Sequence, residues 1–249
     1  KLGLARSIIL HNRHAVPTLQ YISQLRHPNR AVLSAETKCA QRITNGPYNA
    51  FSHAMITNMI AIGFPEIQWD YIRFPDSPKE HLDRARFPNS LGRTRSEAVS
   101  GFLDYVRKET QGENVAMTAD VFGATTSLNY DLGIGQLWEE VVRRVDVVLP
   151  MVYPSHYWSG SFNIEEPNYY PYEVVKAALG DGVERSSKVA DAGSIRPWLQ
   201  DFSLGSPLYG GPEIRAQIQA TYDVGISEWI LWNASSRYTE EGLVPQEGF

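Results

Sequence analysis

The sequence predicts an α/β fold of the TIM (β/α)8-type barrel class, in which the first two βα units are absent or the barrel is completed atypically. Apolar runs of strand length alternate with segments of helical periodicity, as in parallel βα units. The chain carries no glycine-rich phosphate fingerprint, which disfavours a nucleotide-binding doubly wound sheet. Most strand segments end in polar or aromatic residues, and barrel enzymes place their chemistry at those ends.

Six segments have the length and apolar content of strands: 2–10, 65–74, 114–122, 146–153, 195–202 and 227–233. Helices are predicted at 50–62, 96–109, 134–144, 172–179 and 212–224. Gly63, Gly180 and Gly225 are the expected ends of three of them. A closed barrel needs two more strands, so either two are absent at the N-terminus or residues 11–47 contain one. We expect residues 1–249 to form a single domain.

Composition excludes several classes of function. A net charge of −5 disfavours a nucleic-acid partner, and the longest apolar runs are too short to cross a membrane. Cys39 is the one cysteine, so neither a disulfide framework nor a cysteine metal cluster is expected. His11, His14 and His27 have no metal-site spacing, so we predict no metal and no cofactor. The 6 Trp and 13 Tyr supply many rings, whose faces suit either core packing or sugar binding.

One segment carries an acid, a base and several aromatic residues at the end of a predicted strand. It reads Glu-Ile-Gln-Trp-Asp-Tyr-Ile-Arg-Phe-Pro over residues 66–75. It resembles the signature of a glycoside hydrolase family, first described as a domain of unknown function and related to the α-amylase-like barrels. Similar blocks follow in the same order at 119–123, 150–157, 198–202 and 225–233. The resemblance covers residues 44–240, and residues 2–10 resemble the family's third strand, whereas residues 11–43 match it poorly.

The resemblance implies two catalytic carboxyl groups, because the related barrels take them from the ends of strands four and five. Asp70 and Asp120 hold those positions, so we predict Asp70 as the nucleophile and Asp120 as the general acid/base. The competing interpretation of Asp70 is a structural ion pair with Arg73. For Asp120 it is a turn or helix cap before Gly123.

Polar and aromatic side chains near the other predicted strand ends are candidates for substrate binding. They are Arg73, Tyr71, Phe122, Tyr153, His156, Trp158, Asp201, Trp232 and Asn233. Asp201 is also a candidate transition-state stabiliser or second carboxylate. Glu66 and Glu228 begin strands, at the opposite rim, and are interpreted as structural; Trp69 and Trp229 are assigned to the core.

The predicted partner is an oligosaccharide or glycoside, and the resemblance suggests a β-galactoside for some members. Two other activities stay open: a metal-dependent carbohydrate hydrolase or deacetylase using Asp70, Asp120, His156 and Asp201, and a carbohydrate-binding barrel without catalysis. An inactive fragment is a further possibility. Because an open barrel exposes unpaired strand edges, a homo-oligomer that covers such an edge is also predicted.

Overall fold

The fold is described from a computed structural model that covers residues 59–76 and 92–243. The predicted strand 2–10, the first part of helix 50–62, residues 11–47 and Cys39 lie outside the described residues. Residues 59–62 form the end of that predicted helix, which Gly63 follows with a positive φ of 87°.

Strands and helices alternate along the described residues, which confirms the α/β class. The strands are β1 Glu66–Trp69, β2 Ala116–Phe122, β3 Val147–Met151, β4 Ser194–Ile195, β5 Trp198–Gln200 and β6 Ile230–Trp232. The helices are α1 Arg95–Glu109, α2 Trp138–Val142, α3 Pro171–Ser186 and α4 Gly211–Asp223. Short 3-10 helices at 123–126, 154–156, 161–163, 167–169 and 240–242 lie in the connections.

The six strands form one parallel sheet in the order β1-β2-β3-β5-β6, with β4 also paired to β3. The sheet is strongly curled. The indole of Trp198 on β5 reaches Asp120 on β2, and Arg196, beside β5, reaches Glu66 on β1. Contacts across intervening strands require the sheet to bend into an arc, which is part of a (β/α) barrel. Within the described residues the arc ends at β1 and β6, in agreement with an incomplete barrel.

Side chains alternate between the concave and convex faces of this arc. Met117, Ala119 and Val121 of β2 lie on the convex face, where they pack in a buried cluster with Trp138 of α2 and Leu103 of α1. A second convex cluster packs β5 and β6 against α3 and α4. The concave face carries its own small apolar cluster, built on Val147, Leu149, Tyr153 and Trp198. Thr118, Asp120 and Phe122 therefore face the inside of the arc.

Among the predicted boundaries that differ from the structure, including the end of strand 65–74 at Trp69, three have identifiable reasons. Gly180 does not end α3, which continues to Ser186; Gly182 lies on its inner face, where an added Cβ would stand 3.2 Å from Trp138. The predicted strand 195–202 is divided into β4 and β5, because Pro197 between them has no N–H to donate. The predicted helix 134–144 starts only at Trp138, since Gly135 takes a positive φ of 86° where a Cβ would meet the carbonyl of Arg95.

In the part of the chain that the structure describes, no helix combines the length and apolar character needed to span a bilayer.

Candidate active site

The register between β1 and β2 places the two predicted carboxyl groups side by side. Trp69 is paired with Ala119, so the next residues along the two parallel strands are Asp70 and Asp120. Neighbouring strands lie about 4.8 Å apart, and both residues follow the alternation that points to the concave face. By this register the two side chains lie at the carboxyl-terminal rim of the sheet, and the charge of Asp70 helps to raise the pKa of Asp120.

Asp120 is buried on the concave face, with 3% of its surface exposed. Its Oδ1 accepts two hydrogen bonds, from Nε2 of Gln68 at 2.7 Å and from Nε1 of Trp198 at 2.9 Å. Burial, followed by the neighbouring Asp70 charge, raises the pKa of Asp120 well above its usual value, and the two hydrogen bonds only partly oppose this. These surroundings therefore favour the protonated form of Asp120. Because both donors occupy Oδ1, the proton belongs on Oδ2.

Asp70 stands just beyond the end of β1 and is better placed to ionise. Its Oδ1 accepts a 2.6 Å hydrogen bond from the backbone N–H of Tyr71. Burial raises the pKa of Asp70 to about 6, against the opposing effects of that hydrogen bond and of the Arg73 charge. Among the described residues, no nitrogen of Arg73 lies within 4.0 Å of a carboxylate oxygen, so a close Asp70–Arg73 ion pair, the competing structural interpretation, is not observed.

The backbone turns sharply where β1 ends. Tyr71 adopts a left-handed φ of 54°, and the N–H of Arg73 donates to the Tyr71 carbonyl at 2.8 Å. Such a conformation is unfavourable for a residue with a side chain, by about 1–3 kcal/mol, and strain of this kind gathers at functional sites. The turn ends the β1–β2 ladder after Trp69.

A side-chain amide bonds the backbone of β2 where the backbone pairing with β1 has ended. Nε2 of Gln136 donates to the carbonyl of Asp120 at 3.1 Å, and Oε1 of Gln136 accepts from the N–H of Phe122 at 3.0 Å. Gln136 is 1% exposed, so it satisfies backbone groups that would otherwise be buried without partners. It fixes the backbone that carries Asp120.

Arg73 lies between two aromatic rings at the mouth of the arc. Its guanidinium carbon is 5.1 Å from the ring centre of Tyr71 and 4.7 Å from that of Phe122. Phe122 follows Asp120 by two residues on the same face of β2. The three predicted binding residues Tyr71, Arg73 and Phe122 are thus brought together beside the two carboxyl groups.

Tyr153 lies on the concave face close to both carboxyl groups. Its burial, together with the charges of Asp120 and Asp70, raises the pKa of Tyr153 well above its usual value. Its ring packs edge-on against His156 at 5.4 Å and against Phe202 at 5.5 Å. Partial burial lowers the pKa of His156, whose Nδ1 lies 3.0 Å from the hydroxyl of Ser155. Tyr153 thus belongs to the carboxyl site, with His156 behind it.

The remaining predicted binding residues occupy different surroundings. Trp158 is 60% exposed on the loop after β3, and Trp232 packs edge-on against Trp198 inside the arc. Both carboxylate oxygens of Asp201 accept hydrogen bonds from Thr239, at 2.6 Å from its hydroxyl and 2.9 Å from its N–H. Asn233 donates to the Asp201 carbonyl and accepts from the N–H of Ser235. In this structure these polar groups hold the loop after β6, so the predicted substrate contacts of Asp201 and Asn233 stay predictions.

The opposite rim is held by charge pairs. Arg196 donates to Glu66 at 2.8 Å and to Glu228 at 2.8 Å. This is the structural role predicted for both glutamates. Trp69 is fully buried in a convex cluster, as predicted, and Trp229 packs against the other.

Three residues of the site have roles that the sequence did not reveal. Gln68 could have been recognised, because it precedes Asp70 by two positions and therefore shares its face. Trp198 and Gln136 could not, because their contacts with β2 depend on the curling of the sheet and on a long connection. Among the described residues, no three His, Cys, Asp or Glu side chains are grouped as a metal site requires.

A parallel barrel sheet that presents two adjacent carboxyl groups and aromatic rings at its carboxyl-terminal rim has the architecture of a barrel hydrolase of sugars. Residues 46–238, most of the chain, match the family described as "Putative glycosyl hydrolase domain". The chain belongs to this family. A search of curated protein sequences finds no match.

Several solved structures resemble the chain at low sequence identity. The spore cortex-lytic enzyme SleL of Bacillus cereus has 14% identity and a TM-score of 0.47, over 88% of this chain and 57% of that one. SleL of Bacillus megaterium has 12% identity and a TM-score of 0.46, over 76% and 51%. The glycoside hydrolase domain of PgaB from Bordetella bronchiseptica has 13% identity and a TM-score of 0.44, over 73% and 55%. The chain thus spans about half the length of these structures.

Proposed function

We propose that this chain is a glycosidase that cleaves O-glycosidic bonds with Asp120 as general acid/base and Asp70 as nucleophile, and that the whole chain acts as one barrel domain. The observation that carries the proposal is the β1–β2 register, which places Asp70, just after β1, beside Asp120 of β2. Burial raises the pKa of Asp70 to about 6 and that of Asp120 well above its usual value. Two carboxyl groups with separated pKa values are what glycoside hydrolysis requires.

In the first step, Asp120 donates the proton on Oδ2 to the glycosidic oxygen as the C–O bond breaks. Ionised Asp70 attacks the anomeric carbon and forms a glycosyl-enzyme ester. In the second step, Asp120 takes a proton from water, which attacks the anomeric carbon and releases Asp70. A carboxyl separation of about 5–5.5 Å gives this retaining course, whereas inversion needs a wider separation that leaves room for a water.

The aromatic residues on the same rim support a carbohydrate substrate. Tyr71, Phe122 and Tyr153 surround the carboxyl groups, and Trp158 offers an exposed ring on the next loop. Aromatic faces bind the C–H-rich faces of sugars, while polar edges bind hydroxyls. We propose an oligosaccharide or glycoside substrate, with β-galactosides among the first to test.

The test is a screen of nitrophenyl glycosides with wild type, Asp70→Asn and Asp120→Asn, with Asp104→Asn as a matched control. Asp104 lies on α1, where its exposed carboxylate forms an ion pair with Arg144 and makes no contact with the site. We expect Asp70→Asn to abolish turnover of all substrates. Asp120→Asn should lose about 10²–10⁴-fold, and less for a dinitrophenyl leaving group that departs without protonation.

Undiminished hydrolysis by Asp70→Asn would refute the assignment. Loss of wild-type activity on adding a chelator would favour the metal-dependent alternative, and sugar binding without turnover would favour the non-catalytic barrel.

A further inference from the structure

We propose that Arg73 binds an anionic substituent of the glycan, a carboxylate or a sulfate, at the mouth of the site. The inference rests on the proposed function for the position of the sugar, and it adds the chemical class of that sugar: an acidic one.

Arg73 is held by a left-handed turn and by two aromatic rings. The left-handed turn at Tyr71 brings the chain back over the end of β2, and the guanidinium then packs between the rings of Tyr71 and Phe122. Stacking on two rings restricts the long side chain before any ligand arrives, which reduces the entropy lost on binding. The guanidinium lies over Phe122, which follows Asp120 by two residues on the same face of β2.

The hydrogen-bonding capacity of this guanidinium is mostly unused. Among the described residues Arg73 makes one hydrogen bond, from Nη1 to the carbonyl of Phe74 at 3.2 Å, out of the five N–H groups that a guanidinium carries. Two other partly buried arginines, by contrast, are paired with carboxylates. Arg185 binds both oxygens of Glu139 at 2.7 Å, and Arg196 binds Glu66 and Glu228. A half-buried cation without a carboxylate partner is an incomplete arrangement, which an anion would complete.

The charge around Arg73 also fits an anionic ligand. Burial raises the pKa of Asp120 and so disfavours a second negative charge beside Asp70 at the mouth, where Arg73 is the cation. The planar fork of a guanidinium matches the two oxygens of a carboxylate or sulfate, whereas a sugar hydroxyl would use one N–H. The aromatic faces of Tyr71 and Phe122 remain available to the ring of the same sugar.

The experiment measures equilibrium binding, so that it does not depend on turnover. Calorimetry would use Asp120→Asn protein and nitrophenyl glycosides in matched gluco and galacto pairs, with either a carboxylate or a hydroxymethyl group at C6, and a C6-sulfate ester as a third arm. We expect one of the two anionic forms to bind about tenfold or more tightly than its neutral counterpart at low salt, with the preference falling as salt rises. The stronger anion identifies the substituent.

Arg73→Gln in the same background should remove the preference for the anionic form over its neutral counterpart. Arg73→Lys, which keeps the charge but not the fork, should keep part of it. Arg143→Gln is the matched control, since Arg143 lies on the outer surface just after α2 with a side chain that is 46% exposed. The proposal would be overturned if the Asp120→Asn protein bound the anionic and neutral glycosides equally. It would also be overturned if the preference for an anionic glycoside survived in Arg73→Gln. A preference that depends on Arg73 in a protein that hydrolyses no glycoside would support this site and refute the hydrolase.

Discussion

Trp198 donates a hydrogen bond of 2.9 Å from its indole nitrogen to Oδ1 of Asp120, although β3 lies between the two strands that carry them. The contact crosses the inside of the curled sheet. It ties the geometry of the barrel to the chemistry of the carboxyl group, because it fixes which oxygen of Asp120 is left to carry the proton.

Trp198→Phe should therefore change the pH dependence of the reaction. Removing a donor to the ionised form raises the pKa of Asp120 further, and a hydrogen bond to a charged group contributes about 1.5–3 kcal/mol, or about 1–2 pH units. We expect the alkaline limb of kcat/KM to move upward by that amount. Trp138→Phe is the control, because the indole of Trp138 donates to Ser186 outside the arc at 3.0 Å. The alkaline limb of this variant should not move. If kcat/KM of Trp198→Phe falls but its alkaline limb does not move, Trp198 contributes packing alone and the prediction is wrong.

The wild-type profile of kcat/KM against pH should be bell-shaped. Activity should rise as Asp70 ionises, near pH 6, and fall at higher pH as Asp120 loses its proton. The two carboxyl groups interact, so the two limbs describe the pair rather than the single residues. A profile that stays flat from pH 4 to 9 would contradict these protonation states.

Asp70→Asn should stabilise the fold at neutral pH while it removes activity. The pKa of Asp70 is raised from 3.8 to about 6 on folding, so folded protein loses stability as pH rises from 3.8 through about 6. At 1.36 kcal/mol per unit this amounts to at most about 3 kcal/mol above pH 6. Urea unfolding should show the variant to be more stable than wild type at pH 7 and equal to it near pH 3.5. Lower stability of the variant at pH 7 would contradict the raised pKa.

Gln136→Met tests whether the hydrogen bonds between the Gln136 amide and the backbone of β2 position Asp120. Gln217 provides a matched control, because its amide bonds the backbone N–H and carbonyl of Gln200 on β5 in the same manner, at 2.8 and 2.9 Å. Both substitutions leave two buried backbone groups without partners, so each should lower the free energy of unfolding by about 2–4 kcal/mol. Only Gln136→Met should also lower kcat, about tenfold or more, with KM little changed. Equal loss of kcat in both variants would show a stability effect alone.

The sequence by itself determined the alternation of strands and helices, the barrel class, and the candidate pair Asp70 and Asp120 at strand ends. These depend on local periodicity and on a contiguous motif, both of which are written in neighbouring residues. It did not indicate that α3 continues past Gly180 to Ser186. The division of 195–202 at Pro197 follows from a local feature, the missing proline N–H.

Only the tertiary structure decided the protonation of the pair and the surroundings of Arg73. Burial depth sets the pKa of Asp120, and the donors Gln68 and Trp198 reach it from two other strands. The left-handed turn at Tyr71 places Arg73 over Phe122, 49 residues further along the chain by the difference of their numbers. Desolvation and contacts between distant segments arise only when the sheet curls, so no local pattern could encode them.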